Sequence, residues 1–510
     1  MDSHIIPACL ESLFTSNLPP LDSEAAHLRH LLAAAAAGLN QVDSRIGALH
    51  EELAQLLTQR DDLVASMERY QAVLSPVRRI PPEVLCQILE WIPPSFQLVQ
   101  YQDVQRPPWQ IAHICRSWRE TAIACPSLWT CLDIVHMDSS FFPTSDILEA
   151  QLARTASAPL RIDFELSSQS LGAASAWDSL LPLSHRWKSL HIQCSNPEAV
   201  ANLLDRLQAA KGHLPLLEKV DFVMEEASAS VDHDCDFLST ALRLREVHLT
   251  SSTFDEYSPV LAIPWAQLTS YRGVMPPARQ LDNLRDCPNL IDCAIGYDED
   301  PADQALATTV VLPLVRRLHV EHVGILAHMT AQSLQTLLIP SAASHAHILV
   351  TFLQRSSCQL NTLVITKCFD LDGIIAVLTN CTTLEHLILQ IQSVGSVDID
   401  GLVSLLSALS VSIASTNTNI CPNLASIALG FIHQAESPVW GEALLRMLES
   451  RSQPQQRLRS ACFFTAAFGQ GKAFPTELKD RIQGLENRDQ LDIQYLDEAE
   501  GVKFMAGLRP

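Results

Sequence analysis

The chain has 510 residues, of which 47% are hydrophobic, enough for a sizeable core and too apolar for a disordered chain. Its 35 Lys and Arg against 57 Asp and Glu leave a net charge of −22, which argues against nucleic acid or an anionic membrane as a partner. No segment offers the ~18 uninterrupted apolar residues of a membrane helix, and Met1-Asp2-Ser3-His4 lacks the basic start of a secretory signal, so a soluble protein of the cytoplasm or nucleus is expected.

Residues 1–21 read as a flexible N-terminus. From Leu28 to Leu74 apolar side chains recur in alternating steps of four and three: Leu28, Leu32, Ala35, Leu39, Val42, Ile46, Leu49, Leu53, Leu56, Arg60, Leu63, Met67, Tyr70, Leu74. That 3.5-residue period predicts a coiled-coil helix over residues 22–75, with Arg60 as the one charged seam position. Asp22 or Ser23 can cap its start, and Ser75-Pro76 stops it, because the residue before a proline avoids the helical conformation. Homo-oligomerisation through residues 28–74 is one outcome, and a single amphipathic helix lying on its own chain is the other.

The next segment, 76–135, holds two short helical units. Pro81-Pro82 suit a helix start, Glu83 complements the helix dipole, and Leu85, Ile88, Leu89 and Ile92 follow at i, i+3, i+4 and i+7 before Pro93-Pro94 end the helix. After a loop from Ser95 to Pro107, Pro108-Trp109 open a second helix. Ile111, Ile114, Cys115, Trp118 and Ala122 keep the same spacing, and Cys125-Pro126-Ser127-Leu128-Trp129 close the unit.

Together, Ile80 to Trp129 resembles an F-box: a hydrophobic-Pro-x-Glu-x-Leu-x-x-Ile-Leu opening, a Cys-x-x-Trp helix and a Pro-Ser-Leu-Trp close. The resemblance implies a small helical module that binds the Skp-type linker of a cullin–RING ubiquitin ligase. It assigns Ile80, Pro81, Glu83, Leu85, Ile88 and Leu89 to the linker contact, with Cys115 and Trp118 packing the module and extending that contact. The order of coiled coil, F-box and leucine-rich tail also resembles F-box-like proteins abundant in mushroom-forming fungi.

Beyond Ser157 an apolar-x-x-apolar-x-apolar pattern returns: Trp187/Leu190/Ile192, Leu217/Val220/Phe222, Leu244/Val247/Leu249, Leu290/Cys293/Ile295, Val315/Leu318/Val320, Leu334/Leu337/Ile339, Leu360/Leu363/Ile365, Leu384/Leu387/Leu389 and Leu424/Ile427/Leu429. A degenerate copy sits at Leu268/Tyr271. The spacing is that of leucine-rich repeats, so residues 136–470 are expected to form an irregular solenoid with parallel strands on a concave face and helices such as Gly373 to Leu378 and Ile399 to Leu409 outside. The fold class is therefore α + α/β, with 471–510 as a C-terminal cap or tail. Alternation along each strand turns Lys219, Asp221, Glu246, His248, Arg317, His319, Thr362, Val364, His386 and Ile388 to the concave side. Of these, Glu246, His248, Arg317, His319, Thr362, Val364, His386 and Ile388 are the candidate target-binding residues.

No pattern carries catalysis. GxGxxG, GxxxxGK[ST], HExxH and GxSxG are absent, and the fourteen cysteines contain no CxxC pair, which fits buried thiols better than zinc. His233-Asp234-Cys235-Asp236 and Asp298-Glu299-Asp300 hold ligand types but lack the spacing of a metal site. No catalytic residue, metal or cofactor is expected. The resemblance to an F-box, with the repeats behind it, thus implies a substrate-recognition adaptor whose F-box holds the linker and whose repeats hold a protein target. The alternative is a non-ligase scaffold built on coiled coil and solenoid.

Overall fold

The computed structural model describes residues 11–17, 19–91, 108–136, 145–166, 171–194, 197–224, 235–251, 261–297, 309–341, 345–368, 370–391, 399–411, 419–431, 438–453, 456–465, 476–489, 491–496 and 504. The chain divides into two units, residues 1–87 and 88–510.

In the first unit a short helix, Glu11–Thr15, precedes α1, Asp22–Leu74, a continuous helix of 53 residues. The cap is not Asp22 or Ser23, both of which lie inside the helix. Leu21 is the first residue outside, and its backbone N–H donates to the Glu24 carboxylate at 2.8 Å. That carboxylate fills an amide the helix leaves without a partner and complements the helix dipole. The helix ends at Leu74, before Ser75-Pro76, as the proline predicts. Helix α2, Pro82–Glu90, runs across the unit boundary.

The second unit opens with α3, Trp109–Ile114, and α4, Arg116–Ile123. The single helix expected here is broken at Cys115, whose backbone is extended. In an unbroken helix Ala112 and Thr121, nine positions apart, would face opposite ways at 3.6 residues per turn. With the break, both are buried.

A parallel sheet of fourteen strands follows in strict chain order: β1 Cys131–His136, β2 Leu160–Leu166, β3 Trp187–Cys194, β4 Lys219–Met224, β5 Glu246–Ser251, β6 Ser270–Val274, β7 Asp292–Gly296, β8 Arg317–Val320, β9 Thr336–Ser341, β10 Thr362–Cys368, β11 His386–Ile391, β12 Ser426–Phe431, β13 Ser460–Thr465 and β14 Asp492–Leu496. Neighbouring parallel strands in chain order need a crossover at every step, which is the solenoid arrangement. The crossovers carry helices, among them α5 Ser145–Arg154, α6 Ala346–Ser356, α7 Leu371–Thr379, α8 Ile399–Leu409, α9 Pro438–Arg451 and α10 Thr476–Asp489. The sheet outruns the expected solenoid at both ends, since β1 begins before residue 136 and β14 lies beyond 470.

One face of the sheet is core. Leu190, Val220, Leu318, Leu363 and Ile427 are buried there with Phe352, Ile374, Leu405 and Leu448 from the crossovers. Such crossovers leave carbonyls unpaired, and buried polar side chains satisfy them. Arg186 reaches Ala158 O at 2.8 Å and Thr155 Oγ1 at 2.6 Å, and Gln280 reaches Gly296 O at 2.7 Å. Arg451 Nη1 reaches Cys421 O at 2.9 Å while its Nε and Nη2 reach Leu409 O and Ile420 O. Each joins one turn of the solenoid to another, a role that needs hydrogen bonds rather than charge. Cys194, Cys235, Cys287, Cys293, Cys368, Cys381 and Cys421 are buried and outside any disulfide, and burial pushes the Cys287 thiol up to about 12.

Candidate functional site

Two surfaces hold the candidate residues. The first is helix α2. The sequence puts Leu85, Ile88 and Leu89 on one apolar face, but the helix divides them: Leu85 and Leu89 are buried, while Ile88 is 47% exposed. A surface stripe runs instead through Val84, Ile88 and, one residue past the helix, Trp91, which is 86% exposed. Their spacing of four and then three keeps them on one side of the helix axis. Pro81 and Glu83 are exposed and Ile80 is half-buried. Ile92 and the loop from Ser95 to Pro107 lie outside the described residues. Cys115 is exposed and Trp118 half-buried.

The closing residues of the segment are fixed to the sheet. The indole of Trp129 is fully buried, donates to Ala122 O at 2.7 Å, and meets Trp109 edge-on with ring centroids 5.0 Å apart. The Arg154 guanidinium from α5 sits 4.4 Å from both ring centroids. Gln151 on the same helix donates to Cys131 O at 2.8 Å, at the start of β1. Ser127 donates to the Glu90 carboxylate at 2.5 Å.

The second surface is the sheet face opposite the core, where strand register stacks side chains into rows. The central row runs Asp133, Asp163, His191, Asp221, His248, Arg272, Ala294, His319, Leu338, Val364, Ile388, Ala428, Cys462, Gln494 from β1 to β14. Its first half is charged. His191 Nδ1 lies 3.0 Å from Asp221 Oδ2 and its Nε2 3.7 Å from Asp163 Oδ1, and His248 Nδ1 lies 2.9 Å from Asp221 Oδ1. His248 Nε2 is 2.9 Å from Thr250 Oγ1. In the adjoining row Lys219 pairs with Glu246 at 3.3 Å and Arg317 with Asp292 at 2.5 Å.

The titration of this ladder follows from its geometry. Burial alone would raise the Asp221 carboxyl, but the two flanking histidines hold it well below the usual carboxylate range. The hydrogen bond to Asp221 raises His191 despite burial, with Asp163 and Glu165 adding to the effect. Burial raises Asp163, which His191 only partly offsets against the like charges of Asp133, Glu165 and Asp221.

The second half of the row is apolar and covered. Leu338, Val364, Ile388, Ala428 and Phe464 form a buried cluster of their own, packed by Cys462, Leu496 and Phe504. Phe464 lies over Gly430, where a Cβ would collide with its ring. The assignment of Val364 and Ile388 to target contact is therefore corrected: both are core residues of this small cluster, because Phe464 and Phe504 cover the strands that carry them. Glu246, Arg317 and His386 are exposed and His248, His319 and Thr362 half-buried on the same face, as alternation predicts.

Alternation also carried a signal for Asp133, Asp163 and His191, each set between buried apolar neighbours, which the candidate set omitted. Of the acidic and metal-type groups in the sequence, Cys235 is buried and Asp236 pairs with Lys211, while His233, Asp234 and Asp298-Glu299-Asp300 lie outside the described residues. Among the described residues no helix is long and apolar enough to cross a membrane. No family model and no curated protein matches the chain.

Proposed function

We propose that the chain is a substrate-recognition adaptor of a cullin–RING ubiquitin ligase, with Ile80 to Trp129 as an F-box for the Skp-type linker and the open face of the sheet as the target surface. The observation that carries the reading is the exposed stripe Val84, Ile88 and Trp91 on a short helix that otherwise buries its leucines. Apolar side chains aligned on a helix surface are what a partner covers. The charged half of the open face supports the target assignment, since rigid rows of side chains on a solenoid form an extended binding surface. Ubiquitin transfer belongs to the other subunits of the ligase, and no residue of this chain is given a catalytic role.

Affinity capture of the chain from cells tests the adaptor reading. Recovery of a Skp-type linker and a cullin supports it. Their absence, where a known F-box protein captures both, favours a non-ligase scaffold, a reading to which the long exposed helix α1 lends weight.

A further inference from the structure

Helix α1 is a rod of 53 residues, ~80 Å long at 1.5 Å per residue, and none of its residues is buried. Apart from Leu28 its heptad positions are exposed, the large ones from 45% at Ile46 to 71% at Leu32. A helix lying on a globular body keeps a 3.6-residue period. Unbroken alternation of four and three over fourteen positions fits a second helix that supercoils around the first.

We propose that two copies of this chain pair through α1 as an antiparallel coiled coil, with Arg60 of each copy seated against the partner's Val42. In this register Leu28 meets the partner's Leu74, Leu32 the partner's Tyr70, and Leu49 the partner's Leu53, so all fourteen positions are matched with no overhang. A parallel pair would place two Arg60 guanidinium groups in one core layer, where desolvation makes like charges most costly. The antiparallel pair replaces that repulsion with Val42, and brings the partner's Asp43 to the edge of the layer. Among the described residues of one chain, Arg60 pairs with its exposed neighbour Asp61, at 2.8 Å.

The flanks agree. Leu31 and Val73 border the seam, as do Ala36 and Val64. The antiparallel register sets Leu31 beside the partner's Val73 and Ala36 beside the partner's Val64, apolar against apolar. The parallel register sets Val64 beside Gln59. One antiparallel contact is adverse: Glu52 faces the partner's Glu52, but at the exposed rim, where water and salt screen it. At ~60–120 Å² for each apolar seam side chain, the pair buries on the order of 1,000 Å² per copy, above the ~800 Å² of a standard stable interface. This inference is independent of the ligase reading.

Sedimentation equilibrium of the full chain tests it. The expected result is a dimer with a dissociation constant of about a micromolar or tighter, and Arg60→Leu tightens it by tenfold or more. Orientation is tested by charge. In the antiparallel pair Val42→Glu meets the partner's Arg60, so the dimer persists with equal or greater affinity, and adding Arg60→Glu weakens it by at least about tenfold. A wild-type monomer at ~100 μM overturns self-association and leaves the stripe to a different protein. A dimer that Val42→Glu weakens, and that Arg60→Glu then restores or leaves unchanged, overturns the antiparallel register.

Discussion

Asp221 on β4 and His248 on β5 meet across the open face, with 2.9 Å between carboxylate Oδ1 and imidazole Nδ1. His191 approaches the same carboxylate from the other side, at 3.0 Å. One half-buried carboxylate thus joins three strands on the charged half of this face.

Stability should therefore depend on pH through His191. Its pKa is raised by folding, so its contribution is fully present below the ordinary imidazole value of about 6.5 and is lost as pH rises through the higher folded value. Asp221 is lowered, so its contribution is present above the ordinary carboxylate value of about 3.9 and is lost as pH falls through the lower folded one. His191→Gln should cost about 1 kcal/mol between roughly pH 4 and 6.5, discounted for the partial exposure of both groups, and progressively less at higher pH. Urea midpoints of both proteins at pH 5 and 8.5 check this, and equal differences at the two pH values would contradict it.

Arg451 is a fastener of the solenoid. Its guanidinium serves the carbonyls of Leu409, Ile420 and Cys421, and burial lowers its pKa. Arg451→Met keeps the volume and abandons three acceptors, so a loss of about 3 kcal/mol or more is expected in chemical denaturation. Arg451→Lys should recover little of it, because a compact ammonium cannot span acceptors set around a planar fork.

The tryptophan clamp that joins the helical segment 109–129 to the sheet depends on Arg154, which lies against both Trp109 and Trp129. Arg154→Leu should lower stability by about 1–2 kcal/mol, as two desolvated cation–π contacts are lost while the aliphatic packing is kept. Thermal unfolding at matched salt reads the change.

Val364 and Thr362 share a strand and a face but not a fate. Val364→Asp buries a carboxylate in the apolar cluster and should cost about 3 kcal/mol or more, whereas Thr362→Asp, half-buried in the polar row, should shift stability by under about 1 kcal/mol. Similar values for the two would mean that the cluster is not closed in solution.

Much of the sheet was legible because a strand buried on one side repeats its apolar residues at period two. All nine pattern copies and the degenerate one at Leu268/Tyr271 fall at or on the edges of strands. The end strands were missed for particular reasons. Trp129/Leu132/Ile134 fits the same pattern, but Trp129 also closes the helical segment, which masks its place at the edge of a strand. Leu458/Ala461/Phe463 has alanine at a pattern position, and β14 is marked only by Leu491, Ile493 and Tyr495 alternating. The division of the open face into a charged half and a covered half was not legible. It arises from register between strands ~25 residues apart and from Phe504 packing about forty residues past Phe464. The stripe on α2 was misjudged by one position, since helical spacing groups Leu85 with Ile88 and Leu89 but does not say which edge of that group faces in.

Helix α2 carries the proposed contact with the linker. Titration calorimetry of the purified chain with a purified Skp-type linker should give a dissociation constant of about a micromolar or below. Ile88→Asp with Trp91→Asp should abolish binding while the unfolding transition is kept, because both side chains are exposed. Absence of binding by the wild-type chain, or undiminished binding by the double variant, would contradict the assignment of this helix to the linker.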